Sequence, residues 1–93
     1  MPLQTPNDPF ALALAALAAM LTDERRAQRF LDLTGIGTDE LRQRADELGL
    51  LTAVIAFLEA HEPDLVSVSE KIGVNAEALV AARRQIESER GMP

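Results

Sequence analysis

The sequence predicts an all-α fold, a compact bundle of about six short helices, and three features carry that expectation. Two charge-poor apolar stretches, Pro9–Leu21 and Leu50–Ala60, have helical length. Around them, amphipathic segments open on Thr, Asp or Asn and stop at Gly, the residue types that cap helix ends. No apolar run alternates with a period of two, so no strand is predicted.

Met1–Asp8 carries Pro2 and Pro6 without periodicity and reads as a disordered N-terminal arm, residues 1–8. Asn7 or Asp8 caps the first helix, and Pro9 suits its first position, where a missing N–H costs nothing. That helix covers Pro9–Leu21, with Phe10, Leu14, Leu17 and Leu21 as its main stripe. Being apolar on every side, it has to be covered by its own domain, a membrane or another chain. Thr22 caps the second helix, Asp23–Thr34, whose opening acids favour the positive end of the helix dipole. Its Ala27, Phe30, Leu31 and Thr34 are expected inside, with Arg25, Arg26, Arg29 and Asp32 outside. Gly35 stops it. A third helix opens at Thr38, lines Leu41, Ala45 and Leu48 along one side and ends at Gly49.

The fourth helix, about Leu50–Ala60, presents Leu51, Val54, Ile55 and Leu58 at helical spacing, flanked by Leu50 and Phe57. It is the natural mate of the first, so helices one and four are expected at the centre. Glu62-Pro63 restarts the chain as the fifth helix, Pro63–Ile72, with Leu65, Val68 and Ile72 inward. After Gly73, Asn75 caps the sixth, whose buried positions are Leu79, Ala82 and Ile86. One helical domain therefore spans residues 9–88, and residues 89–93 form a C-terminal tail.

Composition removes several functions. A net charge of −6 disfavours nucleic acid and anionic lipid as partners recognised by bulk electrostatics. Without cysteine there is no disulfide framework and no thiolate metal site. Pro9–Leu21 is shorter than the roughly 20 apolar residues that span a bilayer. It also lacks the basic flank of a signal peptide. The expected setting is cytoplasmic, with no membrane partner.

Gly35-Ile36 and Gly73-Val74 both end a helix, and each leads at the same distance to a leucine, Leu41 or Leu79. Two similar helix–turn–helix hairpins account for this echo; a solenoid needs three or more units. The second hairpin resembles a DNA-reading motif, with small Ser69 four residues before Gly73 and Leu79 six after it. Its reading helix would be Asn75–Gln85, which offers Asn75, Ala76, Glu77, Ala78 and Val80 before the first basic residues, Arg83 and Arg84. Such a helix on an acidic body suits a polyanion poorly.

No catalytic constellation stands out. His61 is the single histidine; Glu59, Glu62 and Asp64 lie near it in sequence, but no metalloprotease-type spacing occurs. Ser67, Ser69 and Ser88 lack the context of an activated nucleophile, and no Gly-rich phosphate loop is present. No enzyme activity, metal or cofactor is expected. Between Thr22 and Leu48, seven acids outnumber Arg25, Arg26, Arg29, Arg42 and Arg44, so most of these arginines should sit in weak surface pairs. Arg25 and Arg29 offer a place for an acidic partner to dock, and with Arg83 and Arg84 they make up the candidate partner surface.

Three segments carry a family likeness: Arg29-Phe30-Leu31-Asp32-Leu33-Thr34-Gly35, Val54-Ile55-Ala56-Phe57-Leu58 and His61-Glu62-Pro63-Asp64-Leu65. With the Ala- and Leu-rich first helix, Ile72-Gly73-Val74 and Ala81-Ala82-Arg83, the chain from Phe10 to Ile86 resembles the DUF3572 family of small alphaproteobacterial proteins. The resemblance implies an all-helical bacterial protein without an assigned activity and supplies no catalytic residues. The function expected is a non-enzymatic helical interaction or accessory module of a bacterial cytosol, acting on an unknown protein partner or as a homodimer. The alternative is a helix-turn-helix nucleic-acid-binding regulator using Asn75–Gln85.

Overall fold

A computed structural model describes residues 8–89; most of the expected arm and tail therefore lie outside the described residues. Six helices follow one another: α1 Pro9–Leu21, α2 Glu24–Thr34, α3 Thr38–Gln43, α4 Leu48–Glu59, α5 Glu62–Ile72 and α6 Ala76–Glu89. Asp8 caps α1 by accepting a hydrogen bond from the Phe10 N–H at 3.2 Å, and Pro9 occupies the first helical position. Asp23, not Thr22, caps α2. Thr22 instead donates its hydroxyl to the Ala19 carbonyl and accepts from Lys71 Nζ, tying the end of α1 to α5.

The core is one apolar cluster, and α1 and α4 are central to it. The face that α1 buries differs from the predicted one. Leu12, Ala13, Ala16, Leu17 and Met20 are inside, while Leu14 and Leu21 are exposed and Phe10 is half-buried. A helix apolar all round gives no directional signal, so its neighbours choose the face. Here α4 and α6 pack extensively along it, and the short side chains of Ala13 and Ala16 let them come close. On α4, Leu50, Leu51, Val54, Ile55 and Leu58 are all buried, as the spacing predicts.

The third helix is shorter than expected. It ends at Gln43, and Leu48 and Gly49 belong to the first turn of α4. Arg44 leaves the helical conformation at φ −104°, and its guanidinium bonds Glu40 and Glu47 across the turn. Gly49 is not a stop, since among the described residues only Gly35 and Gly73 adopt positive φ, at 74° and 80°. Those two do end α2 and α5, in the conformation a side chain would strain.

The echo noticed in the hairpins extends through the described chain. Residues 38 apart, the separation of Arg26 and Asp64, correspond throughout: α2 maps onto α5 end to end, and α3 starts where α6 starts. Leu12, Ala13, Ala16, Leu17 and Met20 of α1 match Leu50, Leu51, Val54, Ile55 and Leu58 of α4, and every member is buried. Phe30 with Val68, and Leu41 with Leu79, continue the match. The fold is thus two three-helix units in tandem. They close differently: α6 runs on to Glu89 and packs on both α1 and α4, whereas α3 stops early and packs extensively on neither.

The tight seat of α1 has a measurable consequence. Ala16→Leu is expected to cost about 1–3 kcal/mol in urea denaturation by overpacking. Ala18→Leu, on the exposed side of the same helix, should change stability by less than about 0.5 kcal/mol. Equal losses would contradict this placement of the helix.

Candidate functional site

The four candidate arginines fall on α2 and α6, between which no extensive packing exists, and they do not act as one group. Arg25 and Arg84 are exposed. Arg83 is held by Glu59 at the end of α4, through both Nε and Nη2, and by Glu87 one turn further along α6. Arg83 therefore fastens α6 to α4 and is not free to meet a phosphate.

Asp64 is the acid that the sequence did not single out. It lies in the first turn of α5, only 5% exposed, among residues that otherwise read as a solvated helix start. Its carboxylate accepts from Arg26 Nε at 2.9 Å through one oxygen and from Arg29 Nη2 through the other. Arg26, expected outside, has a side chain only 11% exposed. A buried carboxylate has to be paired, and this one joins the two units at matching positions, the third residues of α2 and α5. Arg26 Nη1 is buried without a hydrogen-bond partner among the described residues. Arg26 also donates its backbone N–H to Asp23 at 3.1 Å, and that bond holds the Asp23 carboxyl below its ordinary range.

Arg29 continues from this pair to the surface. Its guanidinium carbon lies 5.4 Å from the centre of the Phe57 ring, which meets Phe30 edge-on at 5.3 Å. His61, exposed and without a side-chain capping bond, borders the same shallow cleft with Leu33 and Ala60. Glu59 is bonded to Arg83, and Asp64 to Arg26 and Arg29. Among the described residues, no three His, Cys, Asp or Glu side chains group as a metal site.

A larger apolar groove lies between α1, α2 and α3, with a volume near 680 Å³. Leu17, Leu21, Ala27, Leu31, Leu41 and Ala45 form its walls, and Glu24, Gln28, Thr38 and Arg42 its polar rim. Its lining contains no Ser, His or Cys. The motif on α5 and α6 keeps the expected turn: Ser69 is buried, its hydroxyl donates to the Leu65 carbonyl, and its backbone carbonyl accepts from the Val74 N–H. The exposed side of α6 is Glu77, Ala81, Arg84, Gln85 and Ser88.

Removing the charge of Asp64 tests the buried pair. Asp64→Asn leaves Arg26 only its longer contact to Asp23, at 3.8 Å, and is expected to cost about 3 kcal/mol in urea denaturation. Glu59→Gln, at the more exposed Arg83 pair, should cost nearer 1 kcal/mol. Equal costs would contradict this ranking.

Asp23 gives a pH test. Its lowered folded pKa means that the unfolded state takes up the proton first. Its contribution is therefore present above its ordinary value of 3.8 and fades as pH falls through the folded value. Asp23→Asn keeps a capping oxygen, so its stability should fall less steeply than the parent's as pH drops below about 4. An unchanged slope would exclude Asp23 as a source of that dependence.

Among the described residues no helix is long and apolar enough to cross a membrane. A search of curated proteins found no match to the chain, and neither did a search of solved structures. A family model, described as a protein of unknown function, matches residues 6–89 and so covers nearly the whole sequence. The chain belongs to the DUF3572 family.

Proposed function

We propose that the protein is a non-enzymatic interaction or accessory module of a bacterial cytosol, and that the groove between α1, α2 and α3 receives a helix of its protein partner. The observation that supports this reading is the unequal closure of two otherwise matching units. In the second unit Leu65 and Ser69, the counterparts of Ala27 and Leu31, are buried, while Leu17 and Leu41 are buried in both units with their counterparts Ile55 and Leu79. In the first unit Ala27 and Leu31 are only half-buried, and Leu21, 42% exposed, and Ala45 line a groove where their counterparts Glu59 and Arg83 are bonded to each other. An apolar trough with a polar rim is the form that helix-in-groove recognition takes.

A second copy of the chain is one candidate for this partner, which a mass measurement of the purified protein distinguishes from a different protein. The helix-turn-helix alternative has less support, because Arg83 is engaged by Glu59 and Glu87 and α6 offers only Arg84 as an exposed cation among its described residues.

The test is Leu21→Glu, which puts a charge on the groove wall at a position already exposed. It should leave the melting temperature within about 3 °C of the parent, since exposed substitutions change stability little. It is expected to abolish capture of the parent's partner from native lysate, or dimer formation if the partner is a second copy. A folded Leu21→Glu protein that keeps the same partners would overturn the reading. Salt-sensitive DNA retention lost in Arg84→Glu would favour the alternative.

A further inference from the structure

The cleft on the far side of α2 is distinct from the groove, and its chemistry is different. It has a volume near 400 Å³ and five lining residues: Arg29, Leu33, Phe57, Ala60 and His61. From these we infer a second docking site, one that takes an acidic peptide segment carrying an apolar side chain next to its carboxylate.

Charge complementarity selects that occupant. The protein is acidic overall, yet the cleft is lined by a guanidinium and an imidazole and by no carboxylate. The nearby acids are already engaged or lie outside the lining. Glu59 is bound to Arg83, Asp32 accepts from Gln28, Asp64 is buried beneath the arginines, and exposed Glu62 does not line the cleft. Arg26 also pairs with Asp23, and Arg29, 49% exposed, meets Asp64 through Nη2 alone among the described residues, so its other N–H donors remain to offer. Arg25, four residues earlier on the same face of α2, is exposed and adds to it.

Preorganisation is the second element. Arg29 is 49% exposed, but Asp64 fixes one edge of its guanidinium and the Phe57 ring lies beside it. A partner carboxylate therefore meets a fork that is already oriented, so less side-chain entropy is lost on binding. The apolar half of the site is supplied by Phe57, Ala60 and Leu33. Leu33 is 75% exposed, the most exposed of the large apolar residues at the described surface. It stands one helical turn from Arg29, close enough for one short segment to engage both. The cleft is shallow and open, which suits two adjacent side chains of a peptide.

The probe is the tetrapeptide acetyl-Asp-Phe-Glu-Leu-amide, titrated into the full ¹⁵N-labelled chain at low salt and followed by NMR. Saturable shifts are expected at the Arg29 Nε–H and at the backbone N–H groups of Leu33, Phe57 and His61. The neutral analogue acetyl-Asn-Phe-Gln-Leu-amide should bind about tenfold more weakly, the loss expected for one charge-assisted contact. Arg29→Gln should reduce affinity by a similar factor. Because it also touches Asp64, Leu33→Ser serves as an independent variant that leaves that pair intact and should weaken binding several-fold. Arg84→Gln, on α6, should bind as the parent does. Absence of saturable shifts, equal affinity for both peptides, or parent-like affinity in both Arg29→Gln and Leu33→Ser would overturn the proposal. Leu21→Glu should retain peptide binding, which separates failure of this site from failure of the groove.

Discussion

A helix without a polar side chain on any face imposes the main constraint on this fold. Pro9–Leu21 has to be covered, and its alanines determine how closely that can be done. Three helices of the second unit meet it, with α6 and α4 in extensive contact and α5 beside them. The length of α6 follows from this role, since Leu79, Ala82 and Ile86 are buried along one continuous side. The left-handed Gly73 allows the chain to turn from α5 into that position. Arg83, bonded to Glu59, then fixes the middle of α6 to the end of α4.

The tandem architecture explains where the surface is incomplete. Both units bury the same five positions of their first helix and the same leucine after their turn. Their third helices differ, because Leu41 of α3 is followed by Arg42, Gln43 and Arg44 where Leu79 of α6 is followed by Val80, Ala81 and Ala82. The polar run forms surface ion pairs and a turn instead of continuing an apolar face. One unit is consequently closed by its own chain, and the other is left with a groove. Asp64 ties the units together, and by holding Arg29 at the surface it also shapes the smaller cleft.

Much of this was legible in the residues. Helix number, both glycine stops, the α4 stripe and the buried triad of α6 follow from spacing and capping chemistry. The orientation of α1 did not, because Phe10, Leu14, Leu17 and Leu21 make as good a stripe as the face that is buried. Leu48 and Gly49 read as the end of the third helix because a glycine after an apolar residue resembles a stop; only backbone geometry places them in α4. Thr34 was expected inside but is exposed, with its hydroxyl turned back to the Phe30 carbonyl. Asp64 and Arg26 were missed for a physical reason. An acid in a first helical turn is ordinarily solvated, and its burial depends on a guanidinium 38 residues away. The equal offset of Arg26 and Asp64 from their helix starts was the one available signal.

The two units share a core pattern but not a degree of closure. Native-state hydrogen exchange of the full chain tests it directly. Amides of α1, α4 and the Leu79–Ile86 part of α6 should exchange only through global unfolding, with the largest protection in the molecule. Amides of α3, Thr38–Gln43, should exchange through local opening at far smaller protection. Protection of α3 equal to that of α6 would contradict the open first unit, and with it the groove.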